Sequence, residues 1–394
     1  MQLKVVAANY IYRKLNIMKK SLLALAIIAA STTATAATVY DKDGTSLAVG
    51  GRVQAVVYNG KADAAEIAEN DAGLVNSARL NIEGNTKIND YVSAFAFSEW
   101  DMADGNKSAN GDHISTREQY VGADFGDFGK LLIGKTYDAA NEVLAATDIF
   151  EDFGARQQGS INGDRRTGMF RYVYDNNGFF GSVSYETASD ETTVAGQDAN
   201  VEGGFAAAAG YTIDNVVFGP LSFKAGYSYV KGQDDSDELK GAITNYGEDG
   251  TWGFDDFKSI SASISWGSTD NGLYLGALYN TQRAKQRLDG AQSSYKNKVK
   301  GYEFVVGYTF DNGVGVFTGY NFSDAKVVDP EADPARSDSA IYRRVPVYVN
   351  YAINDNFNIW GEAEFDANST TEKDGQAQYG ETGTMLSAGA RYTF

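Results

Sequence analysis

From Ala37 onward the sequence divides into segments of about ten residues whose side chains alternate in character. A period of two is the signature of a strand with two different faces. In "RRTGMFRYVYD" (165–175), Arg166, Gly168, Phe170, Tyr172 and Tyr174 fall on one face, and Arg165, Thr167, Met169, Arg171 and Val173 on the other. In "GYEFVVGYTF" (301–310), Tyr302, Phe304, Val306, Tyr308 and Phe310 oppose Glu303, Val305, Gly307 and Thr309. Near the start, Val49, Val53, Ala55 and Val57 oppose Arg52, Gln54 and Tyr58. The joints have a rhythm of their own. Short ones at 87–90, 126–129, 175–178, 214–219, 270–272, 311–313 and 354–356 alternate with long polar ones near 60–74, 102–114, 136–163, 188–200, 232–255, 282–297, 324–339 and 367–383. Eight long and seven short connections imply about sixteen strands running up and down, with every long loop at the same end.

A sandwich has no reason to keep that rhythm. No apolar run after Ala37 approaches the roughly 20 residues of a membrane helix. Strands that cross hydrocarbon must pair every backbone amide, so such a sheet has to close. The pattern therefore predicts an all-β fold, a transmembrane antiparallel barrel. The 43 glycines, 13% aromatics and only four prolines agree with strands and tight turns.

Residues 18–36, "MKKSLLALAIIAASTTATA", have the anatomy of a cleaved secretory signal: Lys19 and Lys20, an apolar core from Leu22 to Ala30, and Ala34-Thr35-Ala36 as the cleavage site. The chain thus reads as an extension and signal over 1–36, with Met18 the expected start, followed by a barrel domain over 37–394. Cleavage removes five bases and no acid, leaving 29 bases against 52 acids and a net charge of −23. That charge argues against a nucleic-acid partner. With no cysteine there is neither a disulfide framework, a thiolate metal site nor a lipoprotein anchor.

The connection from about Thr136 to Asp164 is far longer than the roughly 2–5 residues a hairpin needs. Within it, "DIFEDFGARQQGSINGDRR" (148–166) opens on Asp148, Glu151 and Asp152 and closes on Arg165 and Arg166. The chain ends "MLSAGARYTF", with Leu386, Ala388, Ala390, Tyr392 and Phe394 on one face and the last two aromatics at membrane-interface depth.

Several of these stretches together resemble the general trimeric porins of Gram-negative outer membranes. "ATVYDKDGTSLAVGGRV" is similar to that family's mature N-terminus, "SARLNIEGNTKIND" to its second strand, and "REQYVGADFGDFGKLLIGKTYD" to its fourth and fifth. "TDIFEDFG" resembles its third loop and "GARYTF" its terminus, so the resemblance spans 37–394. It implies a sixteen-stranded barrel, three per trimer, whose third loop folds inward and narrows a water-filled pore for passive diffusion of small hydrophilic solutes and ions. It also implies acids on the loop at Asp148, Glu151 and Asp152, although the family usually has proline where Glu151 stands. The facing bases map onto Arg52, Arg79, Arg117 and Arg165. Parity supports Arg79, which shares a face with Ser77, Asn81 and Glu83. Glu118, opposite Arg117 in parity, fits that wall poorly and suggests a subunit contact. Tyr392 and Phe394 resemble the terminal assembly signal of such barrels, which implies the outer-membrane assembly machinery as a partner. Outer-membrane lipid and lipopolysaccharide are the other expected partners.

No enzyme signature competes. The single histidine, His113, lies in a long loop, and no G-x-S-x-G elbow occurs. Without a second histidine or a cysteine, zinc is not expected. "GQDDSDELKG" (232–241) clusters carboxylates without the spacing of a calcium loop. The expectation is a channel with no cofactor or metal and a mild cation preference. Glu99, with Phe95 and Phe97 on the lumen side, is expected to line the wall or pair with an arginine. The rival readings are a barrel whose long loops act as adhesin or phage receptor, an outer-membrane hydrolase, or a substrate-specific channel.

Overall fold

The computed structural model describes residues 36–59, 72–102, 114–154, 165–194, 197–233, 252–288, 295–329, 336–368 and 383–394. The signal segment up to residue 35, His113 and most of the acid-rich run at 232–241 lie outside them. The strands are β1 (Ala37–Lys42), β2 (Thr45–Asn59), β3 (Ala72–Lys87), β4 (Ser93–Met102), β5 (Ser115–Asp124), β6 (Lys130–Tyr137), β7 (Arg165–Asn176), β8 (Phe179–Glu186) and β9 (Ser189–Val194). They continue with β10 (Gln197–Val216), β11 (Gly219–Gly232), β12 (Trp252–Gly267), β13 (Gly272–Leu288), β14 (Tyr295–Thr309), β15 (Val314–Asp329), β16 (Arg336–Ala352), β17 (Phe357–Asp366) and β18 (Met385–Thr393).

Successive strands pair antiparallel, and the sheet closes where β18 pairs with β2. β8 and β9 both pair with β10, so they are two halves of one broken strand. β1 folds back on the lower half of β2. Counting those two short pieces with their neighbours leaves the closed sixteen-strand barrel. At the seam, Gly51 and Phe394 exchange two backbone hydrogen bonds of 2.8 and 2.9 Å. β1 then continues along β2 where β18 stops, with Ala37 opposite Val49. No stretch of β2 is left as an open edge there, which is what hydrocarbon demands.

The short ends use turns that the sequence specifies. Asn177 and Gly178 both adopt positive φ (54° and 82°), the conformation of a two-residue hairpin turn. At the long end the strands run further than expected. Much of 188–200, 282–297 and 324–339 is paired strand rather than loop. Above the membrane both faces of a strand meet water, so a polar run still pairs while losing the alternation that reveals it.

The faces sort as the alternation requires. On β14, Tyr302, Phe304, Val306 and Tyr308 are 41–51% exposed, while Glu303 and Val305 are 0% and 4%. A water-soluble protein does not display such a belt; a lipid-facing surface does. Two β-bulges correct the simple parity. Thr136 pairs with Arg166 and Gly134 with Met169, so β7 carries an extra residue at Gly168, whose φ is +70°. Parity put Arg166 with outward Phe170, but the bulge turns it inward, where it is 2% exposed. On β5, Glu99 pairs with Glu118 and Trp100 with Thr116, leaving Arg117 unpaired in the register. Consecutive Arg117 and Glu118 therefore both reach the lumen side, and Glu118 is not at a subunit contact.

Deleting Phe394 removes two seam hydrogen bonds, each worth about 1 kcal/mol net, and the ring stacked on Tyr392 at 6.5 Å. The expected outcome is a lower yield of folded barrel in the membrane, with normal conductance in channels that do form. Phe394→Ala, which keeps the backbone bonds, separates the aromatic contribution. An unchanged yield for both would show that the terminus plays no part in closing the barrel.

Candidate functional site: a loop across the lumen

The chain between β6 and β7 turns into the barrel instead of leaving it. Asp138 caps a 3-10 run over Ala139–Ala146, its side chain accepting from the Ala140 N–H at 2.9 Å. The same carboxylate accepts from the Ser228 hydroxyl (2.6 Å) and from Arg166 Nη2 (3.1 Å), and Arg166 Nε donates to Glu186 (2.9 Å). These three charged side chains are 1–2% exposed. A buried arginine between two carboxylates is sustainable only when paired on both sides. It clamps the root of the loop to β7, β8 and β11.

The 3-10 run then presses Val143 and Leu144 against Tyr120, Leu132, Val173, Phe180 and Leu278. Gly276 permits the closest approach, because a Cβ there would sit 2.1 Å from the Ala146 carbonyl oxygen. Tyr274 donates to that same carbonyl at 2.8 Å, and the Thr147 hydroxyl donates to Glu303.

Beyond Thr147 the loop reaches the far wall. Phe150 and Phe153 pack among Tyr58, Tyr274, Phe317, Tyr348 and Trp360. Glu362 on β17 accepts three consecutive backbone N–H groups, from Glu151 (2.9 Å), Asp152 (2.9 Å) and Phe153 (2.6 Å). Asp152 accepts from Tyr58 Oη (2.7 Å), Trp360 Nε1 (2.8 Å) and Ser387 Oγ (2.6 Å). Glu151 forms a bidentate pair with Arg391 at 2.8 and 2.5 Å, and Arg391 also donates to Gln54 at 2.9 Å. The loop therefore spans the lumen from β7 round to β18 and β2.

A family model described as Gram-negative porin matches residues 22–371. The chain belongs to the Gram-negative porin family. It is 31% identical over 393 residues to porin-like protein L of Photobacterium profundum, covering 96% of this chain and 100% of that one. Its fold is similar to in-vitro folded OmpT of Vibrio cholerae in trimer form (TM-score 0.61, 13% identity, 89% of this chain and 100% of that one). It is also similar to an anion-selective porin from Comamonas acidovorans (TM-score 0.59, 18% identity, 89% and 100%). Family and barrel place this porin in the outer membrane, where members are channels.

The basic residues named from sequence lie on one stretch of the porin's wall. Arg52 and Arg79 are directly opposed across β2 and β3. Arg79 donates to Asp101 (2.7 Å), and Arg117 to Glu99 (2.7 Å) and Asp101 (2.9 Å). Arg165 lies over the Tyr137 ring at 4.4 Å, 4.0 Å from Glu118. Arg52 has no carboxylate partner among the described residues; its charged neighbours are Arg391, Arg79, Arg117 and Glu151. The three loop acids separate in kind. Asp152 is tied to the wall by neutral donors and Glu151 by Arg391. Asp148 faces the water of the lumen. Crowding by the enclosing wall pushes its carboxyl above the ordinary range, Glu151 adds to that, and Arg165 opposes it.

Sequence reasoning missed Arg391, Glu362 and Asp101. Strand parity held signals for two of them. Arg391 opposes Leu386 in face, and Trp360, Glu362 and Glu364 alternate along β17. Nothing in the sequence says that Glu362 meets loop amides.

Glu362→Ala leaves three loop N–H groups without their acceptor. Hydrogen bonds to a charged group are worth about 1.5–3 kcal/mol each. The expected outcome is a loosened loop, visible as larger and more frequent current fluctuations in single-channel recordings. A recording as quiet as wild type would show that the remaining anchors, the Glu151–Arg391 pair, the donors to Asp152 and the aromatic contacts, hold the loop without Glu362.

Proposed function

We propose that this porin passes small hydrophilic solutes and ions by passive diffusion, with its third loop and the facing arginine wall as the constriction, and with a mild preference for cations. The observation that carries the reading is the loop pinned across the lumen with charges of opposite sign facing it. Arginines remain charged at any working pH, so acids and bases across a narrow aqueous gap give a transverse field. In this reading Asp148, Glu151 and Asp152 form the acidic side, and Arg52, Arg79, Arg117 and Arg165 the basic side. Asp148 and Asp152 carry the net charge of this acidic side, because Arg391 neutralises Glu151 while Asp152 is held only by neutral donors. The mature charge of −23 supports the cation preference. A negative mouth concentrates cations within a Debye length, about 8 Å at physiological salt.

Arg52, without a carboxylate partner among the described residues, favours the opposite sign. The shared fold does not decide, since one similar barrel is described as anion-selective. Reversal potentials in a salt gradient do. Asp148→Asn is expected to shift selectivity toward anions and Arg52→Ser toward cations, most strongly in low salt. An aspartate pushed above its ordinary pKa of about 3.9 is protonated at higher pH, so the cation preference fades earlier on acidification than an unperturbed carboxylate would dictate. Unchanged selectivity in Asp148→Asn at low salt would remove the loop from the filter.

The same reading includes a homotrimer. On the outward face of β2–β6, an apolar groove of about 690 Å3 is lined by Leu47, Gly84, Ala94, Ala96, Val121 and Ile133. Small residues there let a second barrel approach closely. Unheated samples are expected to run as trimers in electrophoresis and boiled ones as monomers; a monomer by light scattering after gentle extraction would contradict this. Recognition of terminal Tyr392 and Phe394 by the assembly machinery, and contact with lipopolysaccharide, belong to the same proposal. The loops that an adhesin would use lie largely outside the described residues.

A further inference from the structure

Below the arginine wall, the lumen carries two phenylalanines that a path for water and ions does not require. Phe95 and Phe97 are half-buried on the lumen face of β4, beneath Glu99 and Asp101 on the same face. Phe97 stacks on Tyr120 of β5 (ring centroids 5.3 Å apart, planes at 28°), and Phe95 meets the same ring edge-on at 6.3 Å. Tyr120 is packed in turn against Val143 and Leu144 of the third loop. Gly122 has no side chain, and a Cβ there would lie 2.3 Å from the Phe95 ring, so that ring rests directly against β5. Both rings are held from behind and keep apolar surface toward the lumen. Large apolar surface left facing water is the exposure that calls for a reason.

Polar groups with spare capacity stand beside them. On β3, Glu83 is directly opposite Phe97 and Asn85 directly opposite Phe95. On the other side Tyr120 is opposite Phe97, so one row reads Glu83, Phe97, Tyr120. Directly opposed side chains start about 4.5–5.5 Å apart, which brings the carboxylate and the amide to the edge of the rings. Both are half-buried, and neither side chain has a hydrogen-bond or ion-pair partner among the described residues. Glu83 lies beyond Arg79 on the same face of β3, about 13 Å along the strand. The aromatic patch is therefore on the short-turn side of the arginine wall, in the path of any solute that crosses the constriction.

We propose that Phe95, Phe97, Glu83 and Asn85 form a lumen subsite for the ring of a neutral pyranose sugar. The C–H face of the sugar lies on the phenylalanines, and its edge hydroxyls donate to Glu83 and exchange hydrogen bonds with Asn85. A carboxylate only accepts, whereas an amide donates and accepts, so together they match neighbouring hydroxyls. A wholly apolar solute would cover the rings and strip water from Glu83 and Asn85 without replacing its hydrogen bonds. An open-chain polyol has hydroxyls on every side and no fixed apolar face. An ammonium solute meets Arg52, Arg79 and Arg117 on the same wall, and like charge repels it. The inference names a solute class within the passive-diffusion reading, and it rests on that reading for access to the lumen.

The test uses the purified full-length mature protein with methyl β-D-glucopyranoside, sorbitol and cyclohexanol as probes. Saturation-transfer NMR in detergent reads binding independently of conduction, and current noise in planar bilayers reads it in the open channel. Wild type is expected to transfer saturation to the axial ring hydrogens of the glycoside and to gain a saturable noise component from it, with neither effect from sorbitol. F95L/F97L keeps the apolar bulk and removes the ring faces; it is expected to weaken binding roughly tenfold. Asn85→Ala leaves the rings in place, which guards against a disturbed Tyr120, and is expected to weaken binding roughly fivefold. Ion conductance should be unchanged in both. Equal binding of glycoside and sorbitol by wild type, or undiminished binding in both variants, overturns the site. Cyclohexanol binding as tightly as the glycoside overturns the sugar assignment. Glycoside binding by a protein that conducts no ions would strike the porin reading and leave the site standing, and a conducting protein that binds no glycoside would do the reverse.

Discussion

The structure depends on one constraint: inside hydrocarbon no backbone N–H or C=O can be left without a partner. Closure of β18 on β2, the two bonds between Gly51 and Phe394, and the run of β1 beneath them all meet that demand at the single place where the sheet must be sewn together. Once the sheet is closed, strand geometry assigns every other side chain to lipid and the rest to the lumen. The exposed belt on β14 and the buried Glu303 and Val305 between its members follow from that rule.

Closure also creates the problem that the third loop addresses. Sixteen strands enclose a space too wide for their own side chains to fill. A loop entering this space must satisfy its own backbone, and it does so at the wall. Glu362 serves three amides of the tip, Tyr274 serves the Ala146 carbonyl, and Asp138 serves the first turn. The anchoring uses charged side chains on both partners, so the loop's acids are divided between holding it and facing the solute path. Asp152 holds. Asp148 faces water.

Charge is arranged by surface rather than by net balance. Within the lumen, bases from β2, β3, β5 and β7 gather on one side, partly compensated by Asp101, Glu99 and Glu118. A single figure for net charge averages over surfaces that never meet the same partner.

The sequence by itself determined the fold class, the strand number and the gathering of the long loops at one end. Alternation and turn chemistry are local, and a closed sheet in lipid leaves little else for such a pattern to become. Only the tertiary structure decided the rest. The bulges at Gly168 and Arg117 shift parity by one residue, which depends on the partner strand and brings Arg166 and Glu118 to the inside. The pairing of Glu151 with Arg391, 240 residues away, and of Glu362 with the loop amides arises from how far the loop reaches across the lumen. Strand periodicity fixes which way a side chain points, but the partner it meets is set by the path of a loop with no period at all.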